Sequence, residues 1–240
     1  LITVKARNLK SNQSVARIYS VKAIALVLAL SLSALTSVGA SAVESIDTAS
    51  SYQVVVNKTR PLRPVTYRPS DLVKVPRYNP YARIVRREVS AAIVLLGNDM
   101  KAAGQGTLIV QSGYRSYSSQ TTIHRAKVRA LGKVHGEKLA ARPGYSEHQT
   151  GLAVDFAARG VSTLQVSFAK TKAGIWLAAN AYRYGFVLRY PSGKTAITGY
   201  SFEPWHFRYV GVEVATAMHD QSVATLEEFN SLPAAPNYLN

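Results

Sequence analysis

One run of ten residues, Ser146-Glu147-His148-Gln149-Thr150-Gly151-Leu152-Ala153-Val154-Asp155, and one later run of four, Glu203-Pro204-Trp205-His206, constrain this chain more than any other feature. Two imidazoles and a carboxylate, His148, Asp155 and His206, are borderline ligands suited to a zinc ion. Three protein ligands leave a fourth position open. That distinguishes a catalytic zinc from a structural one, because water there becomes acidic enough to attack a carbonyl near neutral pH. The end of the first run also alternates in a strand-like way. Period two places Leu152, Val154 and Phe156 on one face and Ala153 and Asp155 on the other, so Asp155 projects away from the apolar side.

Glu203 adds a proton carrier beside such an ion, able to act as general base and then general acid. In an ideal strand, residues three apart point to opposite faces, so Glu203 and His206 share a site only if the chain bends between them. Pro204 supplies a plausible bend. Arg115, just past a predicted strand, is a permanent cation whose fork can hold a carboxylate or an oxyanion. Each residue also has a plainer reading: a histidine satisfied within the fold, a solvated loop carboxylate, one solvated cation among 29 basic residues. His124, His135 and His219 compete as ligands and are read as surface or locally hydrogen-bonded residues. The zinc helix motif His-Glu-x-x-His is absent, which excludes that large class of metallopeptidases.

Cysteine is absent, so any metal must be held by imidazole and carboxylate. The compartment is read instead from residues 1–42. Lys5, Arg7, Lys10, Arg17 and Lys22 precede an apolar run from Ala23 to about Leu35, and no acidic residue comes before Glu44. This is the layout of an export signal, with cleavage expected after Ala42 and a membrane anchor over 23–42 as the alternative. Five of the net +16 charges lie in that leader, leaving +11 on the exported part. Outside the membrane such a charge points to an anionic cell envelope rather than to nucleic acid.

The chain of 240 residues is long enough for one well-filled domain. Strands are expected over 52–56, 107–110, 152–156, 186–190 and 205–210, and helices over 81–100, 119–131, 171–184 and 212–220, with Gly132 and Gly185 as stops. Pro61, Pro64, Pro69, Pro76 and Pro80 make 57–80 an extended wrapping segment. Early helices and late paired strands imply an α+β fold: a single compact domain with helices packed on a small, mainly antiparallel sheet. Its expected divisions are a linker and first strand over 43–60, a catalytic domain over 61–229 and a loose tail over 230–240.

Ser112-Gly113-Tyr114-Arg115-Ser116, Ser146-x-His148-x-x-Gly151-x-Ala153-x-Asp155 and Glu203-x-Trp205-His206 together resemble the three signatures of VanY-type D-alanyl-D-alanine carboxypeptidases. The similarity runs from Asn57 to about Phe229. Ala141-Arg142-Pro143-Gly144-Tyr145, and Gly199-Tyr200 with the Glu-Pro-Trp-His run, are similar to the subset that includes L,D-carboxypeptidases. The resemblance implies Zn2+ on His148, Asp155 and His206, Glu203 as catalytic base and Arg115 as transition-state stabiliser. It implies contacts of Gln120 and Ser146 with the terminal D-alanine of peptidoglycan stem peptides, and the fold shared with the Hedgehog signalling domain. The function expected is an exported monomeric carboxypeptidase, D,D-specific ahead of L,D-specific. The rival is a zinc-stabilised envelope-binding module without catalysis.

Overall fold

The structure, a computed structural model, describes residues 45–161 and 164–239. The expected leader or anchor lies outside the described residues. Among those described, no helix is long and apolar enough to cross a membrane. The described residues form one compact unit.

A short antiparallel pair, β1 (Leu72–Lys74) and β2 (Ile84–Arg86), leads into helix α1 (Arg87–Ala102). Strand β3 (Leu108–Ser112) and helix α2 (Tyr117–Leu139) follow. A 3-10 turn, Glu147–Thr150, then enters β4 (Ala153–Ala158). Next come a 3-10 turn at Val166–Lys170, α3 (Lys172–Asn180), a further 3-10 turn at Ala181–Tyr184, β5 (Phe186–Leu188), the one-turn α4 (Thr195–Thr198) and β6 (His206–Tyr209). The helices α5 (Val212–Asp220) and α6 (Leu226–Phe229) close the order. The main sheet runs β3-β4-β6-β5, antiparallel throughout, as the α+β reading expects.

The sheet buries its apolar face against α1. Val89, Ile93, Leu96 and Met100 recur at helical spacing and are fully buried in one core with Val110, Val154, Phe156, Phe186 and Phe207. Each such side chain stabilises the fold by about 1.5–3 kcal/mol. The alternation predicted for β4 holds on its apolar side, where Leu152, Val154 and Phe156 enter this core. Asp155 points the other way, yet it too is buried, because the site covers that face.

Several elements differ from expectation. Residues 52–56 form no strand, although Val54, Val55 and Val56 are buried, since their carbonyls are taken by arginine side chains: Val54 O by Arg208 Nη2 and Val55 O by Arg60 Nε. The first long helix begins at Arg87 rather than Tyr81, because β-branched Ile84 and Val85 pair with Lys74 and Val73. Helicity resumes beyond Gly132, which breaks α2 with φ 74° without ending it. The loose tail is a correction: Ala235 is buried, its N–H bonds Ile197 O at 2.7 Å, and Tyr238 Oη accepts from Arg142 N at 2.8 Å. Likewise 45–60 is not a linker. Val54 and Val56 belong to the main core.

Candidate active site

His148 sits on the 3-10 turn before β4. That turn ends at Gly151 with φ +69°, where an added Cβ would stand 3.0 Å from both Arg86 Cγ and Leu72 Cδ2, so glycine is needed for conformation and for space. His148 Nδ1 lies 2.8 Å from Gly113 O. A carbonyl only accepts, so Nδ1 carries the proton and Nε2 keeps its lone pair for the site.

Asp155 and His206 are direct partners across β4 and β6. Asp155 Oδ1 lies 3.4 Å from His148 Nε2 and 3.3 Å from His206 Nδ1. One ligand atom from each of the three residues falls within 4.8 Å of the others, and all three residues are buried. Among the described residues, Asp155 Oδ1 has no hydrogen-bond partner. A buried anionic oxygen that faces two imidazoles without a hydrogen bond is what a divalent cation would satisfy, and the nitrogen–oxygen donor set suits zinc.

The electrostatics agree. Burial, with Arg115 nearby, lowers His148 to about 4, so it is neutral as a ligand must be. Burial alone would raise Asp155, but His148, His206 and Arg115 hold it well below the usual carboxylate range. Burial would lower His206, yet Asp155, Glu147 and Glu203 outweigh it and raise it to about 9. The carboxylates that favour imidazolium there equally favour a bound cation.

The bend required at Pro204 is present. Pro204 and Trp205 form a turn, and His206 N donates to Glu203 O at 3.0 Å. Glu203 Oε2 thereby comes 3.7 Å from His206 Nδ1. Burial raises Glu203 to about 7, in the range where a carboxyl can both accept and return a proton.

Arg115 follows β3. Its Nη2 donates to Asp155 Oδ2 at 2.8 Å and stands 2.9 Å from His148 Nε2, while Nε donates to Ser112 Oγ at 3.2 Å. Gln120 is buried and steadies the fork, its Oε1 3.4 Å from Arg115 Nη1 and its Nε2 donating to Ala141 O at 2.8 Å. Ser146 is buried and lines the same cavity of about 410 Å³, with Glu203, Trp205 and Tyr200 on other walls. The competing histidines lie elsewhere: His124 beside Glu137, His135 exposed, His219 stacked on Tyr182.

The sequence reading missed Glu147, Arg189 and Arg208. Glu147 Oε1 accepts from Arg189 Nε at 2.8 Å and Arg208 Nη1 at 2.9 Å, all three side chains being fully buried. Burial would raise Glu147, but the two arginines and His206 hold it far below the usual range. An arginine inside each apolar strand run, Phe186-Val187-Leu188-Arg189 and His206-Phe207-Arg208-Tyr209, was the available signal, since such charges are buried only when paired.

The VanY family model, described as D-alanyl-D-alanine carboxypeptidase, matches residues 82–212, which hold every residue of this site. The chain belongs to the VanY D-alanyl-D-alanine carboxypeptidase family. It is 39% identical over 193 residues to the putative carboxypeptidase YodJ of Bacillus subtilis (strain 168), covering 78% of this chain and 69% of that one. It is 43% identical over 132 residues to a D-alanyl-D-alanine carboxypeptidase of Enterococcus faecalis (strain ATCC 700802 / V583), covering 51% of this chain and 47% of the relative. Among solved structures, the LdcB LD-carboxypeptidase superposes with TM-score 0.71 at 38% identity, over 76% of this chain and 87% of that one. The D,D-pentapeptidase VanY of the VanB-type cassette, solved with Zn(II), superposes with TM-score 0.63 at 36% identity, over 74% of this chain and 97% of that one. As a VanY-family member the chain is an enzyme, a zinc metallopeptidase of the carboxypeptidase type. This argues against the non-catalytic module.

Proposed function

We propose that this VanY-family enzyme is exported and removes the C-terminal D-alanine of peptidoglycan stem peptides. Its zinc would be held by His148 Nε2, Asp155 Oδ1 and His206 Nδ1. The observation that carries the reading is the buried Asp155 Oδ1, without a hydrogen bond, between two imidazole nitrogens, with Glu203 beside them. Zinc, when bound, polarises the scissile carbonyl and acidifies the attacking water.

Glu203 accepts the proton from that water and delivers it to the departing D-alanine amine as the carbon–nitrogen bond breaks. Arg115, held by Ser112 and Gln120, offers its guanidinium to the negative charge that develops on the carbonyl oxygen. Gln120 and Ser146, which line the cavity, are assigned to contact the terminal D-alanine. The basic charge left after removal of the leader draws the enzyme to an anionic envelope.

The bond is first assigned as D-Ala-D-Ala, from the family. Likeness to the LdcB LD-carboxypeptidase, with a higher TM-score than that to VanY, favours the L,D bond as the second reading. Mass analysis after incubating residues 43–240 with pentapeptide and tetrapeptide muropeptides, with and without chelator, separates them. Loss of alanine from the pentapeptide alone supports D,D specificity, and from the tetrapeptide alone L,D specificity. No loss from either with zinc present overturns the proposal.

A further inference from the structure

Glu147 has a geometry that an ordinary buried ion pair does not need. Both arginines donate to the same oxygen, Oε1, which aims the other oxygen, Oε2, at His206 Nε2, 3.5 Å away. Both atoms are buried, and among the described residues neither makes a hydrogen bond, so each is the other's charged neighbour. His206 Nδ1, on the opposite edge of the ring, faces Asp155 Oδ1 at 3.3 Å.

The arginines are themselves fixed. Arg189 Nη1 and Nη2 fork onto the two oxygens of Glu227, which in turn accepts from Asn57 Nδ2. Arg208 Nη2 donates to Tyr52 O and Val54 O. Two arginines and two glutamates balance, so the cluster holds a carboxylate rigidly without adding net positive charge beside a divalent cation.

We propose that Glu147 is a positioning residue that holds the His206 proton on Nε2 and so presents the Nδ1 lone pair to the metal. A carboxylate behind a ligating imidazole sets its tautomer and ring orientation and raises its basicity as a ligand. The inference rests on the proposed ligand role of His206. His148 has the matching arrangement with a backbone carbonyl, Gly113 O, behind Nδ1, so the two imidazoles would bind through different nitrogens.

The test begins with the zinc-loaded wild-type protein, by nitrogen-15 NMR of its histidines. The expected result is a protonated, hydrogen-bonded Nε2 and a metal-shifted Nδ1 on His206; zinc on Nε2 would overturn the proposal. Competition with a chelator then compares Glu147→Gln with Glu227→Gln, which disturbs the same cluster but leaves the Glu147–His206 contact in place. Glu147→Gln should bind zinc about 10–100-fold more weakly and Glu227→Gln within about threefold of wild type. Equal weakening in both, or unchanged affinity in folded Glu147→Gln, would reduce Glu147 to a structural ion pair. His206→Ala tests the underlying reading separately: undiminished zinc affinity there would remove His206 as a ligand altogether.

Discussion

Asp155 on β4 lies directly across the sheet from His206 on β6, with Asp155 Oδ1 3.3 Å from His206 Nδ1. Directly opposed residues in an antiparallel pair keep their Cβ atoms about 4.5–5.5 Å apart, so the strand register itself brings two of the three candidate ligands together. A slip of one residue would send Asp155 into the apolar core and carry the site away with it. Asp155→Ala is therefore expected to abolish measurable zinc binding while the sheet persists. Metal content after dialysis, alongside circular dichroism, checks both halves of that statement.

Glu203→Gln removes the proton carrier and leaves all three candidate ligands. Zinc content should stay at the wild-type level while kcat falls about 10²–10⁴-fold, the usual contribution of a positioned general base. Steady-state rates on a released-alanine assay, with metal analysis of the same sample, measure this.

Arg115→Lys keeps the positive charge but loses the planar fork that reaches Asp155, Ser112 and Gln120. Catalytic efficiency should fall about 10²–10³-fold, as when a preorganised oxyanion donor is lost. A KM change without a kcat change would instead assign Arg115 to substrate binding.

Gly151→Ala meets both a left-handed backbone and two side chains at 3.0 Å. A non-glycine residue there costs about 1–2 kcal/mol from conformation alone. Denaturant unfolding should show at least that loss, and the displaced turn should weaken zinc binding through His148.

Acid stability is expected to depend on Glu227. Burial alone would raise its carboxyl, but Arg189 and Asn57 hold it below its ordinary 4.5. A folded value below the unfolded one means the stabilisation is present above pH about 4.5 and is lost as pH falls through the lower folded value. Glu227→Gln should be less stable at pH 7, by about 3 kcal/mol, because Arg189 loses a buried partner. Its stability should decline less steeply below pH about 4.5. Urea unfolding across that range reads out both effects.

The local pattern of residues determined much of this molecule. The alternation of 152–156 made a strand with Asp155 on its polar face, the helical spacing of Val89, Ile93 and Leu96 made an apolar stripe, and Pro204 between Glu203 and His206 made a turn. These are properties of neighbours in the chain, so they can be read from it. The candidate ligand types were legible for the same reason; Arg115 was singled out by its charge just past a strand and Gln120 through the family resemblance, and the fold brings both to the cavity.

Tertiary structure alone decided what distant segments do to one another. Residues 52–56 look like a strand by composition, yet Arg208 and Arg60 claim their carbonyls. The C-terminal tail looks loose, yet Ile197 and Arg142 bind it. Glu147 looks like any surface glutamate, yet Arg189 and Arg208 turn it toward His206. In each case the deciding partner is far off in sequence, and no local propensity records a hydrogen bond whose other half arrives only when the chain has folded.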